Sequence, residues 1–241
     1  MSIRRFKRLS GGHGRSQSNK LARQLQKAHE LIEDHVWMEA RQLLEELNQR
    51  YPNREDVLAP LAITFYHLNE RLEYLGLCVQ INKLTPNDPD HRLALASAYL
   101  MNLRPMLARH VLKQFLSRWP NHKESGRAKE MFSGLEERLQ SIFEEMGLSG
   151  DEGVELAVLH EESQVAMEAG KFKEGIAKTE ELIRRKPDFK AAYNNLSLMQ
   201  YYNGQIADAI ANAERALSIK PDDFHAHSNL ARYLLAEGRA E

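Results

Sequence analysis

Histidine, cysteine and carboxylate side chains are the groups of this chain that could bind a metal ion or transfer a proton in an active site. The ten histidines are scattered singly along the chain. His225 and His227 stand two residues apart, which on a helix turns the two rings to different sides and suits no shared metal ion. Cys78 is the single cysteine, so no internal disulfide can form. The spacing of these residues therefore predicts neither a metal site nor a disulfide.

Two glycine-rich stretches have the composition of a phosphate-binding loop but lack its context. Gly11-Gly12-His13-Gly14 follows no predicted strand and lacks the lysine of a nucleotide site. In residues 147–153, Asp151 and Glu152 would repel a phosphate. Neighbouring glutamate pairs elsewhere are typical of solvated helix faces. We therefore predict no catalytic residue and no cofactor, and expect that these residues do not form an enzyme.

A regular repeat in the sequence identifies the elements that position the side chains. Prolines and glycines recur at a constant interval: Pro52, Pro86 and Pro120, then Pro187 and Pro221, and Gly170, Gly204 and Gly238. One slot of every row is small: Ala28, Ala62, Ala96, Ser163, Ser197 and Ala231. A slot that is always small marks a place where two helix backbones come close. A fixed period of this length indicates one supersecondary unit that is stacked repeatedly.

Each row contains two helices. Its second half has apolar residues at i, i+4 and i+7, as in Ala40, Leu44 and Leu47, which form a stripe on one helix face. Glycine ends the first helix and proline ends the second. This pattern resembles the tetratricopeptide repeat (TPR) family over residues 20–120 and 156–241. The residues in the family's slots are clearest in one row: Tyr193, Leu196, Ser197, Gly204, Ala209 and Pro221. The resemblance implies an all-α fold, a right-handed α-solenoid of helix-turn-helix repeats in two sub-arrays.

Four segments are predicted along the chain. Residues 1–20 are a disordered basic tail, residues 21–120 hold three repeats, and residues 154–241 hold two and a half repeats. Residues 121–153 break the period with one long helix, from about 123 to 146, followed by a glycine-rich acidic turn. The long helix either caps the first three repeats or replaces an irregular repeat within one superhelix. Three glycines in seven residues make a poor rigid joint, which favours the first arrangement.

The two ends of the chain differ in character. Residues 1–29 contain eight Lys or Arg and no Asp or Glu. Any contact with nucleic acid or an acidic surface would be made through this tail, and the alternative is a solvated tail with no specific partner. The tail lacks the apolar segment of a secretory signal, and no apolar run approaches the length of a membrane span. We expect a cytoplasmic protein. The last row stops a few residues into its second helix, which suggests a fragment of a longer protein.

The resemblance implies that the first helix of every pair lines an inner groove. In the second block the predicted partner-binding residues carry amide, aromatic or cationic groups: His160, Gln164, Asn194, Asn195, Tyr202, Asn229 and Arg232. Asn195 and Asn229 occupy the same slot one row apart, and each amide offers a donor and an acceptor to the backbone of an extended peptide. Tyr202 would add an amphipathic contact and Arg232 a partner for a carboxylate. Alternatively, the asparagines serve neighbouring helices.

In the first block the inward slots are more apolar, and the predicted partner-binding residues are Ile63, Tyr66, Leu100 and Met101. Such a lining suits an amphipathic helix, either from a partner or from residues 123–146 of this chain. The sequence thus favours a scaffold or adaptor that binds a peptide or helix of another protein, with no evident small-molecule substrate. The alternative is a docking or regulatory arm of a longer enzyme whose catalytic domain lies beyond residue 241.

Overall fold

The computed structural model describes residues 12–145 and 147–238, and every regular element within these ranges is an α-helix. The helices are α1 (Gly12–Glu33), α2 (Trp37–Arg50), α3 (Glu55–His67), α4 (Arg71–Leu84), α5 (Pro89–Met101), α6 (Pro105–Arg118), α7 (Ser125–Glu145), α8 (Gly150–Glu168), α9 (Phe172–Arg185), α10 (Lys190–Tyr202), α11 (Ile206–Ile219) and α12 (Phe224–Ala236). The prediction of an all-α chain of helix pairs is confirmed.

The helices pack as a solenoid, in which each helix pair packs against the next pair of the same block. The first helix α10 contacts its own second helix α11, the preceding second helix α9, and the neighbouring first helices α8 and α12. In the same way α3 contacts α4, α2 and α1. First helices therefore form one layer and second helices another, which leaves one face of the first helices free of the second layer.

The small slot lies where these layers meet. Ala28, Ala62, Ala96, Ser163 and Ser197 are all buried, at 0–5% exposure. Ala231 in α12 is exposed, and the segment that the sequence pattern pairs with it follows Gly238, outside the described residues. The close approach that the sequence predicts is present wherever both helices of a pair are described.

The chain divides into two compact units. Unit 1 comprises Met1–Leu103 and Gln114–Ser125, and unit 2 comprises Arg104–Lys113 and Gly126–Glu241. The expected joint at residues 147–153 does not mark this division, since α7 from Gly126 onward and α8 both belong to unit 2. Gly147 and Gly150 have φ angles of 60° and 64°, and the buried Leu148 between them donates its backbone N–H to Phe143 O at 2.8 Å. The glycines therefore build a tight turn.

The start of α1 also differs from the expectation. Residues 12–20, predicted as part of a disordered tail, are helical and continue the helix that carries the first repeat. Composition alone argued for disorder, but extending an anchored helix adds one hydrogen bond per residue and avoids the cost of nucleation. The rest of the predicted tail, residues 1–11, lies outside the described residues.

The turn between the first and second helix of a pair contains one residue in the left-handed backbone conformation. In unit 2 this position is Gly170, Gly204 and Gly238, with φ of 68°, 81° and 74°. In unit 1 the equivalent positions, spaced by the same repeat period, are His35, Asn69 and Leu103, with φ of 60°, 58° and 56°. A side chain with a Cβ pays a steric cost of about 1–2 kcal/mol in this region.

Leu103→Gly is therefore expected to stabilise the protein. The leucine side chain is 78% exposed, so little packing is lost when it is removed. Relief of the left-handed strain, reduced by the greater entropy of glycine in the unfolded chain, leaves a gain of about 0.5–1 kcal/mol. Urea denaturation would measure it, with Leu103→Ala as the matched control, because alanine removes the same side chain and keeps the strain. Equal stability of the two variants would contradict the explanation.

Candidate functional site

The first-helix face of unit 2 is formed by α8, α10 and α12. Tyr202 at the end of α10 is 55% exposed, and Arg232 of α12 is exposed as well. Gln164, Asn195 and Asn229 are half-buried, so each offers only part of its amide to solvent. These side chains come from consecutive helix pairs, and the face presents an aromatic ring, amides and a guanidinium.

Tyr202 is held rigidly by other aromatic rings. Its ring stacks on Phe172 of α9, with centroids 5.5 Å apart and planes inclined by 16°, and it meets Tyr201 edge-on. Tyr201 in turn stacks on the fully buried Tyr233 of α12 at 4.8 Å. An exposed ring that is already fixed loses little conformational entropy on binding, which is the property of an anchor residue at an interface.

The two neighbouring asparagines of α10 differ in role. Asn194 Nδ2 donates to Asp223 Oδ2 at 3.5 Å, and Asp223 caps α12 by accepting from Ala226 N at 3.1 Å. Lys190 pairs with the same carboxylate at 2.7 Å and lowers the pKa of Asp223 to about 2. Asn194 therefore serves the packing of neighbouring helices. Asn195 Nδ2 is buried without a hydrogen-bond partner among the described residues, which leaves this amide with unmet hydrogen-bonding capacity.

His160 does not lie open on the face where the sequence prediction placed it. It is 8% exposed, its ring meets Phe189 edge-on at 5.1 Å, and its Nε2 lies 3.3 Å from Gln164 Nε2. Burial, with a smaller contribution from Arg104, lowers the pKa of His160 to about 4. The ring is neutral near pH 7 and contributes to packing rather than to a binding surface.

The adjacent Glu161 is also buried, and it holds the start of α6. Its carboxylate accepts from the backbone N–H groups of Met106 at 3.0 Å and Leu107 at 2.8 Å. Both donors belong to the first turn of α6, where backbone N–H groups have no partner within the helix. Burial raises the pKa of Glu161 to about 7 against the opposing effect of these two hydrogen bonds. The sequence pattern gave no sign of this cap.

The first-helix face of unit 1 is more apolar. Ile63, Leu100 and Met101 are half-buried, and Tyr66 is exposed near the end of α3. Tyr66 meets His67 and Tyr74 edge-on, with centroids 5.3 and 5.4 Å apart. The four residues that the sequence assigned to this face thus present aliphatic, thioether and aromatic groups, without a charge of their own.

The described part of the chain holds neither a metal-binding cluster nor a membrane-spanning helix. Across residues 12–145 and 147–238, no group of three or more His, Cys, Asp or Glu side chains is placed to bind a metal ion. Within the same ranges, no helix combines the length and apolar character needed to cross a bilayer.

Stacked helix pairs that recur with a constant period on either side of the irregular segment 121–153 define the molecule as an α-solenoid repeat protein. Residues 198–241 match the family model described as tetratricopeptide repeat. A comparison with curated proteins gave no match.

Solved structures with related folds are distant in sequence. The MamA protein is 14% identical with a TM-score of 0.40, over 85% of this chain and 93% of that one. The TPR2AB domain of yeast Sti1 in complex with pHSP90 is 13% identical with a TM-score of 0.41, over 91% and 85%. YrrB, described as a TPR protein with an unusual peptide-binding site, is 12% identical with a TM-score of 0.42, over 88% and 93%.

Proposed function

We propose that this chain is a protein-interaction scaffold whose unit 2 binds an extended segment of another protein on its first-helix face. The observation that carries the proposal is Tyr202, a large ring that stays more than half exposed although stacking fixes it in place. Exposed aromatic residues that are already ordered are typical of interaction hot spots.

The neighbouring groups define the kind of segment that fits. Asn195 and Asn229 occupy equivalent positions of consecutive repeats, on α10 and α12. Because Asn195 Nδ2 is buried, the proposed contact of Asn195 is through its amide oxygen, which accepts from an N–H group of an extended backbone. Arg232, exposed on α12, supplies a fork of donors for a carboxylate. The proposed ligand is therefore an extended peptide with an apolar or aromatic side chain against Tyr202 and an acidic side chain toward Arg232.

In unit 1, we propose that the first-helix face takes an amphipathic helix. Ile63, Leu100 and Met101 offer apolar surface from two first helices, and Met side chains adapt to different apolar partners. An apolar lining of this type suits helix-in-groove recognition better than backbone pairing.

Changing Asn195, Tyr202 and Asn229 together to Ala is expected to weaken partner binding at least tenfold, because the anchor ring and both amides are removed. Helicity by circular dichroism should be unchanged, since none of the three side chains is fully buried. The partner would first be captured with the wild-type chain and then titrated as a purified protein.

The matched control changes three exposed side chains on second helices, Lys173, Glu180 and Glu214, to Ala. This control should bind as the wild type does. Equal affinity of both triple variants would reject the first-helix face of unit 2 as the binding site.

A further inference from the structure

Exposed apolar side chains concentrate at one edge of unit 1. Nine large hydrophobic residues are exposed among the described residues, and four of them lie in or beside the two turns that join α1 to α2 and α3 to α4. Met38 and Leu72 are 63% and 57% exposed and occupy equivalent positions of consecutive repeats. The turn-edge patch is defined as Val36, Trp37, Met38, Tyr66, His67 and Leu72.

Ring contacts make this patch continuous. Trp37 stacks on His67 with centroids 4.0 Å apart and planes inclined by 7°, and its other neighbour is His35 at 5.3 Å. His67 meets Tyr66 edge-on at 5.3 Å. The aromatic part of the patch thus bridges the two helix pairs and is ordered before any partner arrives.

The surroundings of the patch are acidic. Residues 33–41 and 66–74 contain five carboxylates: Glu33, Asp34, Glu39, Glu70 and Glu73. They contain two cations, Arg41 and Arg71, so their net charge with neutral histidines is 2 − 5 = −3. Arg41 is already paired with Glu45 and Glu70, at 3.0 and 2.6 Å. The charge complement of this surface is a cationic segment with apolar side chains, and an anionic lipid surface is disfavoured.

We propose that the turn-edge patch binds residues 3–9 of a second copy of this chain. That segment reads Ile3-Arg4-Arg5-Phe6-Lys7-Arg8-Leu9, with four cations and no carboxylate. Its three apolar residues recur at a spacing of three, which gathers them on one side of a helical turn. Phe6 then packs among Trp37, Met38 and Leu72, and the cations face the carboxylates around the patch.

The distance that residues 3–9 can reach from the start of α1 favours binding to a second copy rather than to the same chain. Helix α1 has 22 residues and spans about 33 Å, and the patch lies at its C-terminal end. From Gly12, the six residues to Phe6 extend by at most about 22 Å. The helical turn proposed for residues 3–9 shortens this reach to about 15 Å, so Phe6 cannot reach the patch of its own chain. The proposal concerns unit 1 and stands independently of the binding face proposed for unit 2.

The test measures self-association of the full chain by sedimentation equilibrium and uses a charge swap. One variant reverses the segment (Arg4, Arg5, Lys7 and Arg8→Glu), and another reverses the patch rim (Glu33, Asp34 and Glu39→Lys). Each alone should weaken association at least tenfold, and an equimolar mixture of the two should restore it. Met38→Ser with Leu72→Ser should weaken it similarly and should not impair folding, because both side chains are mostly exposed. Leu235→Ser, an exposed apolar residue of unit 2, is the matched control and should associate as the wild type does.

A labelled peptide of residues 1–11 provides a second measurement. It should bind the full chain that carries the reversed segment, and Met38→Ser with Leu72→Ser in that receptor should weaken binding at least tenfold. Three results would each overturn the proposal. They are a wild-type chain that stays monomeric, a charge-swap mixture that does not associate, and peptide binding that the patch substitutions leave unchanged. Binding of the peptide to anionic vesicles but not to the chain would assign the segment to a lipid surface and would likewise overturn it.

Discussion

Glu161→Gln and His160→Gln are expected to give stabilities that change with pH in opposite directions. The two neighbouring groups in α8 are buried and have shifted pKa values, about 7 for Glu161 and about 4 for His160. Burial disfavours the charged form in both cases, which means the anion of the glutamate and the cation of the histidine. Their effects on stability therefore have opposite signs.

The direction in which stability changes with pH follows from the number of protons bound by the folded and the unfolded chain. Between pH 4.5 and 7 the folded chain keeps a proton on Glu161 that the unfolded chain has lost, so this residue makes stability fall as the pH rises. Between pH 4 and 6.5 the unfolded chain holds a proton on His160 that the folded chain lacks, so this residue makes stability rise with pH. Each effect approaches about 1.4 kcal/mol per pH unit.

In the wild type the two contributions nearly cancel between about pH 5 and 6. Glu161→Gln removes one of them, and the free energy of unfolding should then rise by about 1 kcal/mol per pH unit over this range. His160→Gln removes the other, and the free energy of unfolding should fall by a similar amount. Urea denaturation at half-unit pH steps measures both slopes.

The wild-type chain is the internal control for groups common to all three proteins. The carboxyl of Asp223, with a pKa of about 2, titrates below this window. Changes from the wild-type slope that have the same sign in the two variants, or no change in either variant, would contradict the explanation.

Tyr233→Ala is expected to be the most destabilising single substitution in the last described helix. The ring is fully buried against Ala209, Ile210 and Ala213 of α11, and it stacks on Tyr201 of α10. Removing a buried aromatic side chain costs about 3–5 kcal/mol, because transfer energy is lost and a cavity remains. Helix α12 should therefore lose much of its attachment to α10 and α11.

Two matched substitutions separate the contributions at this site. Tyr233→Phe removes only the hydroxyl, which lies 3.3 Å from Ser197 Oγ, and should cost about 1 kcal/mol. Tyr202→Ala removes an exposed ring and should cost less than about 1 kcal/mol. Urea denaturation measures all three, and a cost for Tyr233→Ala no greater than that for Tyr202→Ala would show that the ring does not hold α12.

The repeat period predicted most of the fold, because close packing restricts residue type at fixed positions. The buried Ala28, Ala96 and Ser197 show this, since each lies where backbones approach closely and a larger side chain would separate them. Glycine marked the left-handed turns of unit 2, but His35 and Leu103 gave no comparable signal, because those residue types rarely adopt positive φ. Both residues nevertheless occupy the glycine slot of their rows, because they lie seven residues after the small slots Ala28 and Ala96, as Gly170 lies seven residues after Ser163.

Contacts between residues distant in sequence could not be predicted. Glu161 follows His160, which the sequence assigned to the inner groove, but the Glu161 carboxylate binds the start of α6, 54 and 55 residues earlier in the chain. No local pattern encodes that contact. Likewise, the position of Tyr202 in its row predicted exposure, whereas the stacking of Phe172 beneath it depends on how α9 packs against α10.

Site-specific photo-cross-linking in the native cell tests most directly whether unit 2 binds protein through its first helices. A benzophenone amino acid would replace Tyr202 on α10 and, as the control, the exposed Glu214 on α11. We expect a discrete adduct from position 202 that Asn195→Ala and Asn229→Ala suppress, and no such adduct from position 214. The proposed binding face would be contradicted if both positions gave the same adduct, or if the two asparagine substitutions left the yield of the adduct at position 202 unchanged.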